Sequence, residues 1–125
     1  MAFETYSNGD TYSGDLLNGV RHGQGTYTWA SGGVYTGEWL NGAKTGEGTY
    51  NYANGNSYKG SLLDGARTGL GTMTYADRDV YTGAWLDGVQ NGQGTYTWAS
   101  GSVYTGEWLN GAKTGEGTYN YANGN

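Results

Sequence analysis

Small, polar and aromatic positions alternate along most of the chain. In YTGEWL, which begins at Tyr35, the residues Tyr35, Gly37 and Trp39 fall on one face and Thr36, Glu38 and Leu40 on the other. In GEGTYNY, Gly48, Tyr50 and Tyr52 share a face, with Thr49 and Asn51 opposite. A period of two in stretches rich in aromatic and β-branched residues predicts strands. No stretch offers a helical apolar stripe, and the glycine spacing would weaken any helix by roughly 1 kcal/mol per glycine.

The turns are written between these stretches. Asn41-Gly42 and Asn54-Gly55 supply residues that tolerate positive φ. The first loop, roughly residues 41–46, joins the two strands of a unit; the second, around 53–56, leads into the next. Strands of about six residues with a turn about every 11–12 residues describe an antiparallel meander. The fold class is therefore all-β, an elongated single-layer array of hairpins. At about 4.8 Å per strand, roughly ten strands give a twisted sheet on the order of 50 Å long.

The pattern repeats every 23 residues. Units start at Tyr12, Tyr35, Tyr58, Tyr81 and Tyr104, and the fifth stops one residue short at Asn125. Residues 1–11 read as the end of a preceding unit, because Tyr6, Asn8 and Gly9 correspond to Tyr52, Asn54 and Gly55. Columns beginning at Gly14, Leu17, Gly19, Gly23, Gly25 and Thr26 do not vary. A longer period lies on top: Gly23–Asn56 and Gly92–Asn125 match except at Gly33 and Ser102, an offset of 69 residues. Either a duplicated three-unit block or a designed, consensus-like array accounts for it.

Glycine beside a wide ring lets the ring lie flat on the backbone. The Tyr12 and Trp39 columns are expected to cover glycines of the Gly14 and Gly25 columns and to form a continuous ladder. No second layer is encoded, so the ladder is expected to be both the core and the wall of a groove. The partner-binding face expected from this consists of Tyr12, Tyr35, Trp39, Tyr50, Tyr58, Tyr81, Trp85, Tyr96, Tyr104 and Trp108.

Composition narrows the function classes. The chain has 26 Gly, 13 Tyr, no Pro and no Cys, so it carries no disulfide or thiolate chemistry. Its aromatic content argues against disorder. Net charge is −5, and the six basic residues are spread singly along the sequence. Nucleic-acid binding is therefore not expected, nor is charge-driven membrane contact. The N-terminus lacks the apolar stretch of a signal peptide, and no apolar run reaches spanning length, so a cytoplasmic location is expected.

Catalytic constellations are lacking. His22 is the only histidine, which excludes a triad or a two-histidine metal site, and it is expected in a solvated loop. Asp77 and Asp79 fall short of the six or so oxygens of a hard-cation site. Glu38 and Glu47 recur in polar columns and read as solvating charges, not as a glycosidase pair. No phosphate loop is present. No enzyme activity, cofactor or metal is expected.

Units of the form Y-x-G-x-W-x-N-G-x-x-x-G-x-G-x-Y resemble the MORN repeat (membrane occupation and recognition nexus). Tyr35, Gly37, Trp39, Asn41-Gly42, Gly46, Gly48 and Tyr50 carry the resemblance, which covers residues 6–125. It implies a twisted array of β-hairpins and a module for protein–protein contact, with a phospholipid role in some members. Three departures stand out: Leu16 and Leu62 replace Trp, Met73 replaces Tyr, and Arg78 replaces a turn glycine, so that the turn at residues 76–79 is expected to be deformed.

The function expected is a non-catalytic scaffold that binds a protein or peptide along the aromatic groove or self-associates at the open sheet ends. The alternatives are a designed or excised array without a specific ligand, and a phospholipid-associated module. Carbohydrate stacking or choline caging is a weaker possibility.

Overall fold

The computed structural model describes residues 2–121. They form one antiparallel sheet of eleven strands in sequence order, with no helix among the described residues. The strands are β1 Ala2–Thr5, β2 Thr11–Leu17, β3 Val20–Thr28, β4 Val34–Leu40, β5 Ala43–Asn51 and β6 Ser57–Leu63. They continue as β7 Ala66–Thr74, β8 Val80–Leu86, β9 Val89–Thr97, β10 Val103–Leu109 and β11 Ala112–Asn120. The remainder of the fifth unit, residues 122–125, lies outside the described residues.

Each unit contributes one tight hairpin. Asn41 and Gly42 have φ of 51° and 85°, a two-residue turn with both central residues left-handed. This is shorter than the 41–46 loop expected from the sequence. Residues 43–46 belong to β5, and Gly46 sits at a bulge instead. The register passes from Gly37 opposite Gly48 to Trp39 opposite Lys44, so one residue, Glu38, faces three.

The bulge is closed by side chains. The Glu38 carboxylate accepts the Glu47 N–H at 2.8 Å, and the Tyr35 hydroxyl donates to the Glu38 carbonyl at 3.1 Å. Asp15 and Glu107 repeat the first bond, and Tyr12, Tyr58, Tyr81 and Tyr104 the second. The carboxylates of Asp15, Glu38 and Glu107 thus satisfy backbone donors that the bulge would strand, a more specific role than solvating charge.

Loops between units run from Tyr52 to Asn56 and at equivalent positions. Tyr52 N–H donates to the Asn56 carbonyl and Gly55 N–H to the Tyr52 carbonyl. Tyr6 and Asp10 bracket the same loop at the start of the chain. The 75–79 loop keeps these bonds although Arg78 takes φ of 79°, so the deformation expected there does not occur. The last loop residue staples one loop to the next. Asp79 accepts from the Tyr96 hydroxyl and Ala99 N–H; Asp10 does so from Tyr27 and Ala30. Those bonds occupy the Asp79 oxygens, and Asp77 accepts from Asp79 N–H.

The core is built from rings lying on backbone. Tyr35 is fully buried because its ring covers Gly48; a β-carbon there would collide with the Tyr35 hydroxyl and ring. Each buried indole stands edge-on between the tyrosines of adjacent units. Trp39 meets Tyr12 at 5.6 Å and Tyr35 at 5.3 Å, both at 87°. Its Nε1–H donates to the Gly25 carbonyl at 3.1 Å. Trp85 and Trp108 repeat this against Gly71 and Gly94. One indole therefore ties two units together.

Candidate aromatic and cationic binding face

The aromatic face has two layers, and the ten aromatics expected to bind a partner divide between them. Tyr12, Tyr35, Tyr58, Tyr81, Tyr104, Trp39, Trp85 and Trp108 are all at most 7% exposed. Tyr50 and Tyr96 are half-buried and belong to a second row above them.

That row is a run of stacked and tilted rings. Tyr6, Tyr27, Trp29, Tyr50 and Tyr52 follow one another at centroid distances between 5.8 and 4.1 Å. The run resumes as Tyr75, Tyr96, Trp98, Tyr119 and Tyr121, at distances between 5.9 and 4.4 Å. Met73, 2% exposed, occupies the Tyr50 column between the two halves. Trp29, Tyr52, Tyr75 and Trp98 escaped the sequence reading because they open the inter-unit loops. The alternation that put Tyr52 on the face of Tyr50 was the available signal.

A cation column crosses this face. Lys44 is paired across its hairpin with Trp39, Arg67 with Leu62 and Arg21 with Leu16. The Arg21 guanidinium lies 4.9 Å from Trp39 and 5.1 Å from Tyr27. The Lys44 ammonium lies 4.8 Å from Trp29 and 5.0 Å from Tyr50. Arg67 lies 4.8 Å from Trp85, and Lys113 lies 5.2 Å from Trp98. Gln90 fills the column in the fourth unit and donates to the Tyr75 hydroxyl at 3.0 Å. The basic residues are therefore not scattered in space: four of six recur at one position of the unit and line one face.

The hydrogen-bond acceptors of Arg21 and Arg67 are neutral. Arg21 donates to the Tyr6 hydroxyl and the Gly42 carbonyl, and its Nε is buried without a partner. Arg67 donates to the Tyr52 hydroxyl and the Gly88 carbonyl. Burial, then the Arg21 charge, holds the Lys44 ammonium below the usual lysine range. A cavity of about 300 Å³ opens between these two cations, lined also by Tyr27, Trp29, Trp39 and Asp64.

The opposite face differs in chemistry. A ladder of threonines interrupted by Lys59 crosses it through Thr26, Thr36, Thr49, Lys59, Thr72 and Thr82, which pair in succession. The carboxylates of Asp15, Glu38 and Glu107 also lie there, bound to the bulges. His22 lies within β3, half-buried with its Nδ1 unpartnered, and not in a solvated loop.

No helix among the described residues is long and apolar enough to cross a membrane. Comparison with curated proteins gives no match. A family profile described as the MORN repeat matches residues 12–34, 35–57, 58–80, 81–103 and 104–125, the same unit boundaries as the internal repeat. This family is a non-catalytic repeat module found in protein–protein and membrane-associated scaffolds. With five consecutive units matched across residues 12–125, the chain belongs to the MORN repeat family.

Proposed function

We propose that this chain is a scaffold that receives an extended segment of a partner protein along the stacked ring row. The observation that carries the reading is the half-buried row itself. Ring edges recur at every unit, and cations lie between them, of which Arg21 and Arg67 donate only to neutral acceptors. Aromatic and arginine side chains dominate binding energy where such groups become desolvated. The Trp39, Trp85 and Trp108 indoles support this surface from beneath, so partner contact falls first on Trp29, Tyr50, Tyr52, Tyr96 and Trp98.

A photo-crosslinking amino acid placed at Tyr52, and separately at Thr82 on the opposite face, tests the reading in cell extract. Crosslinks from position 52 that map to one contiguous segment of a partner are expected. Crosslinks from position 82 alone would refute it.

A further inference from the structure

We infer that the segment received by this face is acidic and runs along the sheet as a polyproline II helix, presenting a carboxylate at every third residue. The inference rests on the groove reading above and adds the partner's chemistry and spacing.

The spacing comes from the fold. Each unit supplies two strands, so the cation column repeats about every 9.6 Å along the sheet. A polyproline II helix has three residues per turn and rises about 3.1 Å per residue, so every third side chain returns to the same side after about 9.3 Å. A β-strand returns after two residues, about 6.6 Å, and drifts out of step within one unit. From Arg21 to Lys113 is four units, about 38 Å; thirteen residues of polyproline II span about 37 Å.

The chemistry comes from the side chains. Arg21, Lys44, Arg67 and Lys113 sit on rings, and the hydrogen-bond acceptors of Arg21 and Arg67 are hydroxyl and carbonyl oxygens. Lys44 is partly desolvated beside Arg21, so a carboxylate entering the cavity between them relieves a like-charge repulsion. Asp64 also lines that cavity, from the hairpin turn. Between cations, the edges of the stacked Trp29, Tyr50 and Tyr52 rings meet the intervening residues, as aromatic grooves meet proline-rich segments. Gln90 interrupts the column, so the fourth carboxylate in register meets an amide.

Fluorescence anisotropy with labelled thirteen-residue peptides tests this. The probe is (Glu-Pro-Pro)4-Glu; the controls are (Gln-Pro-Pro)4-Gln and a peptide of the same composition with its five glutamates consecutive. The spaced acidic peptide is expected to bind roughly tenfold more tightly than either control, with an advantage that shrinks as salt rises. Arg67→Gln, which places the residue already tolerated at position 90, should remove most of that advantage. Gln90→Arg should increase it severalfold. Equal binding of the neutral peptide would overturn the inference and leave the groove reading standing. Equal binding of the consecutive peptide would overturn the spacing, as would tighter binding of oligothymidylate or of phosphatidylserine vesicles. If no peptide binds, the inference fails, and the crosslinking experiment decides the groove reading independently.

Discussion

Lys44 stands directly across its hairpin from Trp39, and its ammonium rests over Trp29 of the preceding unit, 4.8 Å from the ring centroid. The contact joins the buried indole layer to the accessible ring row and crosses a unit boundary. Lys44→Met keeps the stem but removes the charge. Burial and the Arg21 charge disfavour the ammonium in the folded protein by more than the ring contacts favour it, so the variant should be at least as stable as the parent. Thermal melts of the two proteins measure it; a clearly lower midpoint would show that the ring contacts outweigh the cost of burying the charge.

Rings lying on glycine are the basis of the core. Gly48→Ala places a β-carbon against the Tyr35 ring, so a loss of roughly 1–3 kcal/mol is expected. Because the Tyr35 hydroxyl is the nearest atom, Tyr35→Phe in the Gly48→Ala background should cost less than it does alone. Additive losses in a double-mutant cycle would contradict the proposed contact.

The bulge carboxylate predicts a stabilising change. Ala84 occupies the Glu38 column, so the fourth unit lacks that acceptor beside Gln93. Ala84→Glu should add about 0.5–1.5 kcal/mol, the net value of a hydrogen bond, and Glu38→Ala should lose a similar amount. Urea denaturation reads both; opposite signs would show that the bulge donors are satisfied by solvent.

Alkaline pH should unfold the array. Burial pushes the hydroxyls of Tyr35, Tyr58 and Tyr81 up to about 12, and burial with the Asp10 hydrogen bond does so for Tyr27. Tyr96 is raised also, by burial and then Asp79. The unfolded chain releases these protons near pH 10 and the folded chain does not. Their stabilising effect is therefore full below pH 10 and is lost as pH rises through about 12. Tyrosinate absorbance and far-UV dichroism should change together in that window. Early ionisation of most tyrosines with the sheet intact would contradict the buried-ring account.

Much of the fold was legible in the sequence, because strict period two and the Asn-Gly pairs determine face and turn together. Tyr35, Gly37 and Trp39 lie where the alternation puts them. Gly46 was misread as loop because a bulge glycine and a turn glycine look alike in one dimension. His22 went the same way, since the turn closes two residues after Leu17. Arg78 shows that loop hydrogen bonds held by Tyr75 and Asp79 override a poor turn residue. The cation column was missed because residues 23 apart look scattered until the units are stacked.

The binding face is tested most directly by the five indole N–H signals in a proton–nitrogen NMR spectrum, during titration with (Glu-Pro-Pro)4-Glu. Trp39, Trp85 and Trp108 donate to glycine carbonyls beneath the face, whereas Trp29 and Trp98 lie half-buried in the ring row. Shifts concentrated on Trp29 and Trp98, with the other three nearly still, are the result this account predicts. Five static indoles, with shifts confined to the amides of the Thr36 and Thr82 ladder, would contradict it and move the contact to the opposite face.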